Sequence, residues 1–159
     1  MPNEIIDKLH YGLAWAYLKE GLFKPAIEEF QKIARESEDK TVKISALCQI
    51  GDAYQDSGDY QKAISTYDSI LKESADNFYS DYVQYQLGVC LLKSGNYNGA
   101  ILAFGNLKKN YPDSKLIDDA SYALALSYFQ REDYEASRDL FVKFKDESKD
   151  SNLRAFVRY

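Results

Sequence analysis

Ser94-Gly95-Asn96-Tyr97 returns in altered form every 37 residues, as Glu20-Gly21-Leu22-Phe23, Ser57-Gly58-Asp59-Tyr60 and Arg131-Glu132-Asp133-Tyr134. A glycine followed by Asp or Asn and an aromatic residue suits a place where one helix stops and another starts. Glycine accepts the left-handed backbone that ends many helices, and a short Asp or Asn side chain accepts hydrogen bonds from the opening amides of the next. Working outward from the first such turn, Leu9, Leu13, Ala14 and Tyr17 recur at helical spacing before it, and Ala26, Phe30 and Ile33 do so after it. The sequence therefore divides into blocks 7–43, 44–80, 81–117 and 118–154, each a pair of short amphipathic helices, with a fifth block begun over 155–159. Such a period is the signature of stacked helical units, so the expectation is one all-α domain over 1–159, a solenoid of about four helix-turn-helix repeats. Glu132 stands where the other late turns have glycine, which predicts strain or a different closure there.

The joints between blocks follow a rule of their own. Asp39, Asp76, Asp113 and Asp150 share one position, with Val42, Tyr79, Leu116 and Leu153 three residues later, which predicts an acidic cap and an apolar anchor at the start of each next helix. Pro25 falls within the first turn of its helix, where a missing amide hydrogen matters little, and Pro112 follows a helix that has already ended.

Composition narrows the function classes. With 45% hydrophobic and 28% charged residues the chain has the makeup of a folded globular domain. No run approaches the roughly eighteen apolar residues that a membrane helix needs, and Met1-Pro2-Asn3-Glu4 lacks the pattern of a secretion signal. A net charge of −5 disfavours a phosphate-binding surface, so nucleic acid is not an expected partner. Cys48 and Cys90 occupy different positions of different blocks and read as small packing residues rather than a disulfide. His10 is the single histidine and reads as structural. The pairs Glu28-Glu29 and Asp118-Asp119 read as carboxylates favoured near helix starts, and Lys108-Lys109 as a helix end. No phosphate-cradling loop, HExxH or GxSxG occurs, so neither an enzyme nor a metal or other cofactor is expected.

At block level the sequence resembles the tetratricopeptide repeat family. Large-then-small pairs of that family are matched by Leu13-Ala14, Ile50-Gly51, Leu87-Gly88 and Leu124-Ala125, and the following aromatic by Tyr17, Tyr54 and Tyr128, with Leu91 departing. Ala26, Ala63, Ala100 and Ser137, then Phe30, Tyr67, Phe104 and Phe141, match the second helix. The unit here is three residues longer than the family's 34, its closing proline survives only as Pro112, and its early tryptophan is replaced by His10, Leu47, Gln84 and Ser121. Tyr111-Pro112-Asp113-Ser114 and Ser127-Tyr128-Phe129 are similar to phrases of bacterial envelope members, the TolA-binding periplasmic proteins and outer-membrane assembly lipoproteins. That likeness implies a periplasmic or envelope setting, with the cytoplasm as the alternative.

The resemblance implies a right-handed solenoid whose first helices line a concave face that binds another protein or a peptide. On this geometry one groove position reads Tyr11, Cys48, Tyr85, Tyr122 and Tyr159, the next Trp15, Asp52, Val89 and Leu126, and the next Leu18, Gln55, Leu92 and Phe129, with Tyr82 and Phe156 near the start of the face. The expected groove is Tyr11, Trp15, Asp52, Tyr82, Tyr85, Val89, Tyr122, Leu126 and Phe129, aromatic with a polar break in the second block. Tyrosines there suit an extended peptide or a partner helix; the alternative is that they pack between first helices, and a half-buried ring can do both. The clamp by which co-chaperone relatives hold a chain-terminal carboxylate is not expected, since its positions carry Tyr11, Trp15, Gln49, Tyr82 and Gln86 rather than cations. Two other readings stay open: self-association through repeat ends, with Ala155, Phe156, Val157 and Tyr159 uncovered unless the array continues, and a groove for glycan or lipid.

Overall fold

The computed structural model describes residues 2–147, and among these the chain forms eight helices and no strand. They are α1 (Pro2–Lys19), α2 (Phe23–Glu36), α3 (Lys40–Asp56), α4 (Tyr60–Glu73), α5 (Ser80–Lys93), α6 (Tyr97–Asn110), α7 (Ile117–Gln130) and α8 (Tyr134–Glu147). Each block thus holds one helical hairpin, as its turn motif requires. Two compact units arise, one through Val83 and one from Gln84. In the first, α1, α2, α3 and α4 pack each on the next; in the second, α6, α7 and α8 do so. Asp150, Leu153 and the fifth block at 155–159 lie outside the described residues.

The four turns share one hydrogen-bond pattern. Gly21, Gly58 and Gly95 have φ of 75°, 83° and 83°. The amide after each returns to a carbonyl five residues back: Leu22 to Tyr17, Asp59 to Tyr54 and Asn96 to Leu91, each at 2.9 Å. These are Schellman closures, in which a left-handed residue lets two amides satisfy carbonyls that the ending helix would leave bare. The next residue then serves both helices. Asp59 accepts from the Lys62 amide at 3.2 Å, Asn96 from Gly99 at 2.9 Å and Asp133 from Ala136 at 3.3 Å. Leu22 has no such side chain, and α2 opens without a side-chain cap.

Glu132 closes the fourth turn in the same way, its amide donating to Phe129 and the Asp133 amide to Tyr128, at φ 67°. The turn is therefore strained rather than rebuilt: a side chain occupies a left-handed conformation disfavoured by about 1–2 kcal/mol. Glu132→Gly is expected to stabilise the protein by about 1 kcal/mol, the relieved strain exceeding the extra freedom glycine gives the unfolded chain. Chemical denaturation checks this, and an unchanged or lower midpoint would mean that the glutamate makes a compensating contact.

Only one of the described joints follows the acidic-cap rule. Asp39 accepts from the Thr41 and Val42 amides at 2.8 and 3.2 Å and opens α3. Asp76 and Asp113 do not cap: α5 begins at Ser80 and α7 at Ile117, four residues beyond them. At the second joint a local turn competes with helix initiation. Asn77 donates its side-chain amide to the Ser74 carbonyl, accepts from the Tyr79 amide at 2.7 Å and donates its own amide to Ser80 Oγ at 2.8 Å. At the third, Ser114 Oγ accepts from the Leu116 amide at 3.1 Å. Asn and Ser side chains offer the backbone these non-helical partners, so the chain turns once more before winding.

The core follows from the large-then-small pairs. Ala14, Phe30, Ile33, Ala46 and Ala53 are essentially inaccessible in the first unit, as are Ala100, Phe104, Leu107 and Ala120 in the second. A Cβ on Gly51 would lie 2.5 Å from Tyr67 Cε1, and one on Gly88 2.6 Å from Phe104 Cε1. The small residue of the first helix is thus the seat for the aromatic ring of the second. In the fourth block Ala125 holds the matching sequence position, and Ser137 Oγ donates to its carbonyl at 2.9 Å.

Candidate functional site

Three members of the tyrosine row share one packing arrangement. Tyr11 meets Phe30 with ring centroids 5.5 Å apart, Tyr85 meets Phe104 at 5.8 Å and Tyr122 meets Phe141 at 5.6 Å. All three are half-buried, so each ring has one part committed to its hairpin and another accessible. Burial raises the Tyr11 and Tyr85 hydroxyl pKa, which keeps both phenols neutral; the Tyr11 hydroxyl donates a hydrogen bond to Ser45 Oγ at 2.8 Å. Tyr159 and Phe156 lie outside the described residues.

The remaining groove candidates differ in role. Trp15 is 46% exposed, an unusual setting for the largest apolar side chain. Val89 packs half-buried against the Phe104 core, and Leu126 is half-buried. Phe129 is 49% exposed and lies against Tyr134 at 5.3 Å, beside the hairpin turn of the fourth block.

The second block departs from this plan. Cys48 stands at the row's tyrosine position, and beside it lies a pocket of about 170 Å³ lined by Ser45, Cys48, Gln49, Asp52, Tyr79 and Tyr82. Asp52 is half-buried in it. Its carboxylate accepts from the hydroxyl of the fully buried Tyr67 and, through the other oxygen, from Tyr82 at 2.7 Å. Burial raises the Asp52 pKa above the usual carboxylate value, and the two tyrosine hydrogen bonds offset part of that by favouring the charged form. Tyr67 and Tyr79 lay outside the expected groove. The signal for Tyr67 was in the sequence: Tyr67 stands where other blocks have Phe30, Phe104 and Phe141, in the block where Asp52 replaces Trp15, Val89 and Leu126.

Elsewhere the polar groups are structural. His10 Nδ1 lies 2.5 Å from Glu29 Oε2, and Lys32 Nζ donates to Glu29 Oε1 at 2.8 Å. Glu29 is buried, and burial alone would raise its pKa; the Lys32 and His10 hydrogen bonds outweigh this and leave it lowered. Glu29 belongs to this α1–α2 pairing and not to the first turn of α2, as its expected role near a helix start would require. Asp118 and Asp119 do open α7, and Lys108 and Lys109 close α6. Cys48 and Cys90 are free and buried, and burial pushes the Cys48 thiol up to about 12, so it stays protonated and unreactive. Among the described residues no group of three His, Cys, Asp or Glu could hold a metal ion, and no helix is long and apolar enough to cross a membrane.

Helical hairpins closed by Schellman turns, with Gly51 and Gly88 each seating an aromatic ring of the following helix, define a helical repeat protein of the solenoid class. Tetratricopeptide repeat profiles match residues 7–40 and 54–119, together more than half of the sequence, and the chain belongs to the tetratricopeptide repeat family. Its fold is shared with MamA (41-end) from Desulfovibrio magneticus RS-1, at 27% identity and TM-score 0.71, over 89% of this chain and 75% of that one. A tetratricopeptide repeat protein from Parabacteroides merdae ATCC 43184 aligns at 18% identity and TM-score 0.74, over 94% and 57% of the two chains. YrrB, described as a TPR protein with an unusual peptide-binding site, aligns at 18% identity and TM-score 0.71, over 96% and 74%. No curated protein matches the chain. Proteins of this fold serve generally as interaction scaffolds.

Proposed function

We propose that this protein is a non-catalytic scaffold that holds a peptide, or one helix of a partner protein, on the faces of its first helices. Each unit contributes its own stretch: Tyr11, Trp15, Asp52 and Tyr82 in the first, and Tyr85, Val89, Tyr122, Leu126 and Phe129 in the second. The observation that carries this reading is the repeated tyrosine–phenylalanine packing. A ring held on one side by its own hairpin is ordered before a ligand arrives, so binding loses little side-chain entropy, while the accessible part still offers apolar area and a hydroxyl. YrrB, of the same fold, has a peptide-binding site.

Selecting a random peptide library on the immobilised protein tests the proposal. Ligands are expected, and Trp15→Ala together with Tyr122→Leu, confirmed helical by circular dichroism, is expected to weaken them about tenfold or more, as loss of aromatic anchors does. Unchanged binding by that variant would move the site off these faces.

A further inference from the structure

We infer that the second-block pocket receives a basic side chain, the ammonium of a lysine or the guanidinium of an arginine, from the bound segment. The inference rests on the scaffold reading and deepens it.

Three observations carry it. The first is space: where Tyr11, Tyr85 and Tyr122 carry a ring the second block carries the small Cys48, which lines a pocket of about 170 Å³. That is many times the roughly 10–15 Å³ that one water needs by the same measure, room for one alkylammonium or guanidinium arm. The second is charge: among the described residues no cation pairs with the Asp52 carboxylate, which accepts from two tyrosine hydroxyls. Tyr67 and Tyr82 hold both oxygens in place from the protein side, so the carboxylate is aimed before any ligand binds. A carboxylate withdrawn from water without a counter-ion gains from an incoming cation more than an exposed one would, because the local dielectric is lower.

The third is the lining. Tyr79 and Tyr82 bring aromatic rings, which attract cations, and Gln49 and Ser45 bring neutral polar atoms, while no lysine or arginine lines the pocket. Phosphate and carboxylate ligands would meet Asp52 as a like charge, and an apolar side chain would bury it uncompensated. The chain's net charge of −5 adds long-range attraction for a basic segment.

The experiment selects a random peptide library on the wild-type protein and on Asp52→Asn, which keeps the size of the side chain and an oxygen acceptor. Wild-type ligands are expected to share a lysine or arginine at one position. Replacing it by norleucine or citrulline should weaken wild-type binding about tenfold or more, and Asp52→Asn should bind parent and replaced peptides alike. Exchanging lysine for arginine in the parent peptide identifies the preferred cation. Cys48→Tyr, which refills the row, should abolish the basic preference too. Ligands without a fixed basic position, or a basic residue that matters as much to Asp52→Asn, would overturn the pocket and leave the scaffold standing; no ligands for either protein would overturn both.

Discussion

Replacing Phe104 by alanine is expected to destabilise the protein by about 3–5 kcal/mol, the range for truncating a fully buried aromatic ring. Phe104 is inaccessible, packs among Ala100, Leu107, Ala120 and Ala123, and carries Tyr85 on its outer side. Its loss removes apolar burial and leaves a cavity that the rigid backbones of α5 and α6 cannot close. The reciprocal change attacks the same contact from the other side. A Cβ on Gly88 would come within 2.6 Å of Phe104 Cε1 and 2.7 Å of Cζ, so Gly88→Ala must displace a ring with nowhere to go, at about 1–3 kcal/mol. Combining Gly88→Ala with Phe104→Leu, which lacks those ring atoms, should be less destabilising than the sum of the two single changes. Denaturant titration of the helical signal reads all four proteins. A loss under about 1 kcal/mol for Phe104→Ala would show that the ring's seat is not what holds the hairpin.

The second large effect is expected at the polar break. Asp52→Leu gives the second block the side chain that Leu126 gives the fourth, and takes the carboxylate acceptor from the buried Tyr67 hydroxyl and from Tyr82. The Tyr67 hydroxyl keeps a long 3.5 Å contact to Gln55 Oε1 in place of the short bond to Asp52, a loss of about 1–2 kcal/mol. Relief of the half-buried charge works in the opposite direction, but Asp52 retains access to solvent, so the lost hydrogen bonds dominate. Adding Tyr67→Phe gives the block the leucine and phenylalanine that the fourth block has at Leu126 and Phe141, and should recover most of the loss. The cycle formed by Asp52→Leu, Tyr67→Phe and the double variant is expected to show a coupling of about 1–2 kcal/mol. Additive single effects would mean that the two residues do not act together.

Much of this was legible in the amino-acid sequence because the deciding interactions are local. A left-handed glycine, the Asp or Asn after it and the helical spacing on either side act within one or two helical turns, so Gly58-Asp59 and Gly95-Asn96 announce hairpins wherever they occur. Glu132 was readable as bringing either strain or a different closure, and the structure has the strained one. The joints were less so. Asp76 and Asp113 share a register with Asp39, yet Asn77 and Ser114 compete for the same backbone groups within a few residues, and small energetic differences choose between them.

The candidate site divides along the same line. Local periodicity placed Tyr11, Tyr85 and Tyr122 at one position, and hence in one kind of environment. What each ring touches depends on a residue 19 positions later, and what Asp52 touches depends on Tyr67 and Tyr82, 15 and 30 positions away. Helix, turn and repeat were determined by the sequence alone, since each rests on neighbours in the chain. The partners of the Asp52 carboxylate and the pocket beside Cys48 were decided only by the tertiary structure, because packing brings together side chains whose separation along the chain no local rule constrains.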